Sequence, residues 1–105
     1  MTASNAEDLL AFQLRAVGIE FVQQHIYAPP RKLRADFGLT ANRLLVWVDG
    51  GIYSRQAHGS ISGILKDIER ANEAACHDWL VIRCTPDMVK DGSALAMVER
   101  FLEGR

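Results

Sequence analysis

The stretch Leu33-Arg34-Ala35-Asp36-Phe37-Gly38-Leu39-Thr40-Ala41-Asn42-Arg43-Leu44-Leu45-Val46-Trp47-Val48-Asp49-Gly50-Gly51 decides the fold. It reads as two short strands joined by a polar turn. Residues 32–37 alternate, with Leu33, Ala35 and Phe37 on one face and Lys32, Arg34 and Asp36 on the other. Residues 44–49 are nearly all apolar, the pattern of a central strand covered on both faces, and Gly50-Gly51 ends it. One carboxylate, Asp36, sits inside the first strand, and Asp49 sits at the exit of the second. Two carboxylates side by side at strand ends are what a divalent metal needs. An apolar strand running into Asp-Gly-Gly is also a plain strand-to-turn junction, so both readings stay open on these residues. The register is open too, because Asp36 and Asp49 stand toward opposite ends of their strands in sequence. Asp49 shares a face with Trp47 and Leu45.

Outward from this stretch the elements follow from periodicity. Residues 5–17 predict a first helix with Leu10, Leu14 and Val17 on one face. Asn5 is its expected cap, Glu7 and Asp8 suit its positive end, and Gly18 stops it. Residues 19–27 predict a strand, closed by Pro29-Pro30. Residues 52–59 read as a polar loop with Arg55 and His58. Residues 60–76 predict a helix burying Ile61, Ile64, Leu65, Ile68, Ala71 and Ala75. Trp79 to Cys84 predicts a fourth strand, broken by Thr85-Pro86. A last helix runs from about residue 88 or 91 to Leu102, with Leu95, Val98, Phe101 and Leu102 facing inward. The order α-β-β-β-α-β-α describes an α/β fold with a mixed four-stranded sheet flanked by helices.

At 105 residues the chain is one domain, 1–105, large enough for a workable core. A hydrophobic share of 49% and a charged share of 24% are ordinary for a globular protein. The net charge of -1 gives no global attraction to nucleic acid, so any such binding needs a local patch. No apolar run has the length of a membrane span, and the first eight residues lack the pattern of a signal peptide. Cys76 and Cys84 are not spaced as a ligand pair and read as reduced thiols of a cytoplasmic chain.

Several stretches together resemble one family: Arg34-Ala35-Asp36-Phe37, the strand Val46-Trp47-Val48-Asp49-Gly50-Gly51, His58, the helix with Asp67-Ile68-Glu69-Arg70-Ala71-Asn72, and the closing run from Trp79 to Val89. The chain is similar to the PD-(D/E)XK nuclease superfamily, in its small phage and bacterial endonuclease-like branch related to very-short-patch repair endonucleases. The resemblance spans Glu7 to Leu102 and rests on the order and spacing of weak motifs. It implies a restriction-endonuclease-like fold and a Mg²⁺- or Mn²⁺-dependent endonuclease acting on DNA. Asp36 and Asp49 would be metal ligands, with Glu7 in support. Lys66 or Arg70 would stabilise the phosphate charge, and His58 would be an acid or phosphate contact. It also allows a homodimer. The chain departs from the pattern twice: Trp47 stands where an acidic ligand is expected, and Arg70 where a lysine is. An indole cannot ligate Mg²⁺, and an arginine cannot act as a base. The alternative is a catalytically inactive nuclease fold that binds nucleic acid or a protein.

Arg31, Lys32 and Arg34 cluster beside Asp36, with Arg43 and Arg55 expected near them. They are candidate DNA phosphate contacts, or else a solvated charge run on an edge strand. His25 and Trp79 read as structural. His77-Asp78 suits a helix C-terminus that wants a left-handed residue. Trp47 reads as filler of a lost ligand position or as a stacking surface for a base.

Overall fold

In the computed structural model, residues 3–50 and 61–105 are described. The polar loop expected at 52–59 lies outside them. Helix α1 spans Ala3–Ala16. It begins before Asn5, which therefore lies in the first turn and does not cap it. Ala6, Leu10, Ala11 and Leu14 are buried along one face. Val17 is not: the helix has ended, and its side chain is exposed. Gly18 takes φ +79°, and the Ile19 N–H donates to the Leu14 carbonyl at 2.9 Å, closing the C-terminus as expected of glycine there.

Three strands follow in a meander: β1 (Val22–Ile26), β2 (Arg34–Leu39) and β3 (Leu44–Val48). A 3₁₀ turn at Thr40–Asn42, with Arg43 at φ +53°, connects the last two. Helix α2 (Ile61–Cys76) crosses to β4 (Leu80–Cys84). At its end Asp78 adopts φ +63°, the left-handed residue the sequence asks for, and the Trp79 N–H reaches back to Ala74 O at 2.9 Å. The expected last helix is two: α3 (Pro86–Lys90) and α4 (Ser93–Glu103). Gly92 at φ +86° divides them, a conformation that costs glycine little. Thr85 caps α3 by accepting from the Met88 N–H.

The sheet order is β1-β2-β3-β4, antiparallel at the first two junctions and parallel at the third. All five residues of β3 are buried. This is the α/β architecture with a mixed four-stranded sheet that the sequence predicts. Two cores lie on either side of the sheet. Leu44, Val46 and Val48 pack with Leu10, Leu14, Val89 and Val98 against α1, α3 and α4. Leu45 and Trp47 pack with Tyr27, Ala28, Ala35, Ala74 and Trp79 under α2.

Helix α2 departs from expectation. Of its described side chains only Ala74 is buried, and Ile61, Ile64, Leu65 and Ile68 are at least half exposed. The cause lies on its polar side. Arg31, beyond β1, pairs with Glu69 and Glu73, while Arg70 donates to the Arg34 carbonyl at 3.1 Å. These contacts lie on the side of α2 turned to β1 and β2, while its apolar stripe stays exposed.

Candidate active site

The β2–β3 register pairs Phe37 with Val46, so Asp36 faces Trp47 and Asp49 lies two residues beyond. An ordinary hairpin thus brings both carboxylates to one end of the sheet without any offset of the turn. At Asp36 the ladder changes character. Its Oδ2 accepts the Val48 N–H at 2.7 Å, so the side chain takes the place of a backbone acceptor. The strand alternation breaks here: Phe37 packs in one core and Ala35, two residues earlier, in the other. Across the sheet Gln24 sits at φ +51°, an unusual backbone for glutamine. Its Nε2 donates to Glu7 Oε1 at 2.7 Å and to Asp36 Oδ1 at 3.4 Å. Glu7 on α1 is thereby tied to Asp36 through one amide.

Asp36 and Asp49 border a cleft of about 440 Å³ between β3, β4 and α2. Trp47 forms its floor, and Asp67, Arg70, Val81 and Arg83 supply its walls. Parallel pairing puts Arg83 beside Trp47. From there Arg83 Nη2 reaches Asp49 Oδ2 at 2.7 Å and Asp67 Oδ2 at 3.9 Å. Trp47 is nearly buried. Its Nε1 donates to the Arg34 carbonyl at 3.3 Å, its ring meets Tyr27 edge-on, and the Arg70 guanidinium lies 5.0 Å from its centroid. The tryptophan is therefore held by three contacts and turns only a small part of its surface to the cleft.

Burial pushes the Asp36 carboxyl above its ordinary range. The Val48 N–H, Gln24 and Arg70 oppose the rise, and the Asp49 charge adds to it. Cys84, beneath both carboxylates, is raised to about 11, first by burial and then by their charges. The Asp49 charge beside the buried Asp36 carboxyl favours a cation near Asp36.

Of the residues the sequence singles out, Asp36, Asp49 and Arg70 meet at the cleft, and Glu7 reaches Asp36 through Gln24. Lys66 is exposed on α2 and does not line the cleft. His58 and Arg55 lie outside the described residues. The basic cluster is dispersed. Arg31 is held by Glu69 and Glu73, and Arg43 donates to His77 O and lies 4.0 Å from the Trp79 ring centroid. Arg43 precedes β3 while Asp49 follows it, so the two mark opposite ends of the sheet. Lys32 and Arg34 are exposed beside the cleft end of β2. Gln24, Asp67 and Arg83 are additions. Arg83 carried a signal, being a lone charge in an otherwise apolar strand. Gln24 carried none.

Among the described residues no group of three or more His, Cys, Asp or Glu side chains is gathered to hold a metal. The donors present fit a hard cation in part: Asp36 and Asp49 offer two carboxylates, and Mg²⁺ is ordinarily held by one or two carboxylates plus waters. Comparison of the chain with protein-family models, curated proteins and solved structures finds no match.

Proposed function

We propose that the chain is a cytoplasmic DNA endonuclease-like phosphodiesterase of restriction-endonuclease-like fold, dependent on Mg²⁺ or Mn²⁺, with its site at the cleft floored by Trp47. The observation that carries the reading is the meeting of Asp36 and Asp49 at one cleft with Arg70 and Arg83 in its walls. Asp36 and Asp49 would hold the ion, which when bound supplies Lewis-acid polarisation of a phosphodiester oxygen. The Val48 N–H fixes the orientation of the Asp36 carboxylate. Arg83 orients Asp49 and offers a guanidinium to phosphoryl oxygens. Arg70 is permanently charged, so it stabilises developing negative charge and takes no proton. Calorimetric titration with Mn²⁺ and Mg²⁺, run beside a plasmid-nicking assay, tests this. The parent is expected to bind metal and nick, and Asp36→Ala to do neither. No heat at millimolar metal would end the reading.

Trp47 favours a second reading, a catalytically inactive nuclease fold serving as a nucleic-acid-binding or protein-interaction module. Its indole holds a hydrogen bond, an aromatic contact and a cation–π contact in the place of a ligand. On that reading DNA binds, stacking on or near Trp47, with neither metal nor cleavage.

A further inference from the structure

Strands β1 and β2 change face together at one rung. Their register pairs Val22 with Gly38 and Gln23 with Phe37, then His25 with Ala35 and Ile26 with Arg34. By count Gln24 falls opposite Asp36, yet these two are not ladder partners. The spacing is equal on both strands, so no inserted residue forces the break. Alternation would keep Gln23 and His25 on one face, and likewise Ala35 and Phe37. Instead Gln23 accepts from Arg15 of α1 at 3.5 Å, while His25 meets Trp79 in the core under α2. Phe37 and Ala35 divide between the same two sides. Gln24, at φ +51°, and Asp36 are the residues at which the strands turn over.

The two side chains meet at this rung. The Gln24 amide carries two hydrogens on one nitrogen. Its Nε2 faces two carboxylate oxygens, Glu7 Oε1 at 2.7 Å and Asp36 Oδ1 at 3.4 Å. An ionised carboxylate only accepts, so the amide is held with its nitrogen toward both. The shorter contact is to Glu7: α1 steadies the amide, and the amide steadies Asp36. The Asp36 carboxylate is then gripped at both oxygens, Oδ2 by the Val48 N–H of β3 and Oδ1 from β1. A carboxylate offers about four lone-pair sites, so this grip leaves acceptor capacity for an ion in the cleft that Asp36 borders.

The backbone shows that the side chain matters. A left-handed φ is costly for glutamine and cheap for glycine. A glycine at this rung would supply the same turn with less strain. What glutamine adds is its amide, and the amide lies on the two carboxylates. We infer that Gln24 is a positioning residue of the cleft, whose amide, anchored on Glu7, holds Asp36 in the pose that takes a divalent ion. The inference rests on the proposed metal site and gives Gln24 a role through Asp36, not on the ion.

Calorimetric Mn²⁺ titration beside thermal melts tests it with two substitutions. Gln24→Gly suits the backbone and lacks the amide; it is expected to melt at or above the parent. Gln24→Met keeps the length and the strain without a donor, and is expected to melt at or below the parent. Both should raise the Mn²⁺ Kd about 10-fold, as loss of a group supporting a metal ligand does. Gln23→Ala, one residue away on β1, should leave that Kd unchanged. A folded Gln24 variant that binds Mn²⁺ like the parent overturns the inference. So does an affinity that follows melting temperature, or an equal loss in Gln23→Ala. A parent that gives no heat with Mn²⁺ ends the metal reading of the cleft and this inference with it, a failure visible in the parent alone.

Discussion

Asp36 carries the tension of the site in one side chain. Burial raises its folded pKa above the unfolded value. As pH climbs the unfolded chain releases this proton first, so the folded state is penalised progressively, and fully above the folded pKa. Asp36→Asn keeps an acceptor for the Val48 N–H and removes the charge. Its Tm is expected to exceed the parent's at pH 7, with the gain vanishing below the ordinary carboxylate value of 3.8; thermal melts across pH check it. A melting difference independent of pH would show that Asp36 ionisation is not the cause. Trp47 poses the complementary question. Trp47→Glu puts a carboxylate on the strand face that already holds Asp49, opposite Asp36. Losing the buried indole should cost about 3–5 kcal/mol. In the folded fraction, Mn²⁺ should bind more tightly than to the parent, with nicking at or above its level. Unchanged metal affinity in a folded variant would mean that Trp47 does not stand at a ligand position.

At the level of elements, β1 and β2 are locked together at one close approach. A Cβ on Gly38 would lie 2.7 Å from the His25 ring and 2.9 Å from its Cβ. The imidazole cannot swing clear cheaply, because its ring stacks edge-on to Trp79. Gly38→Ala is therefore expected to destabilise by about 1–3 kcal/mol in urea unfolding, as overpacking does. The same scale shows how far a sequence can be read. The apolar run of β3 and the stop at Gly18 depend on neighbours in sequence, and they are legible; the facing of β2 is not, because its alternation breaks at Asp36 and sends Ala35 and Phe37 into opposite cores. The roll of α2 is not, because it depends on Arg31, Glu69 and Glu73 meeting across the fold. An apolar stripe says which face seeks cover, not what covers it. The division between α3 and α4 was present as Asp91-Gly92, a turn dipeptide inside a helical pattern. Asp36 and Asp49 are legible as residue types, while their meeting depends on a register set by the Thr40–Asn42 turn. The role of Gln24 arises from a backbone conformation glutamine seldom takes.

The whole molecule is an unequal three-layer sandwich. Among the described residues three helices cover one sheet face and α2 spans the other, beside the cleft. The charge is near balance, so duplex binding has few cations to draw on. With Arg31 committed to acidic partners and Arg43 at the far end, Lys32, Arg34 and the cleft arginines remain near the cleft among the described residues. The salt dependence of DNA affinity should accordingly be shallow, a log–log slope of about -3 to -4 for four phosphate contacts, measurable by fluorescence anisotropy. A slope several-fold steeper would mean a larger basic surface. The two thiols, finally, occupy opposite extremes: Cys76 is exposed on α2, and Cys84 lies in the core with Sγ against the Trp47 carbonyl. Only a thiolate reacts with a disulfide reagent, and Cys84 is both protonated and sealed. Ellman's reagent should then count one thiol per chain at once and a second only as fast as the sheet opens. The protein carries its own clock for global unfolding, wound beneath the two carboxylates and readable from the colour the thiol reagent releases.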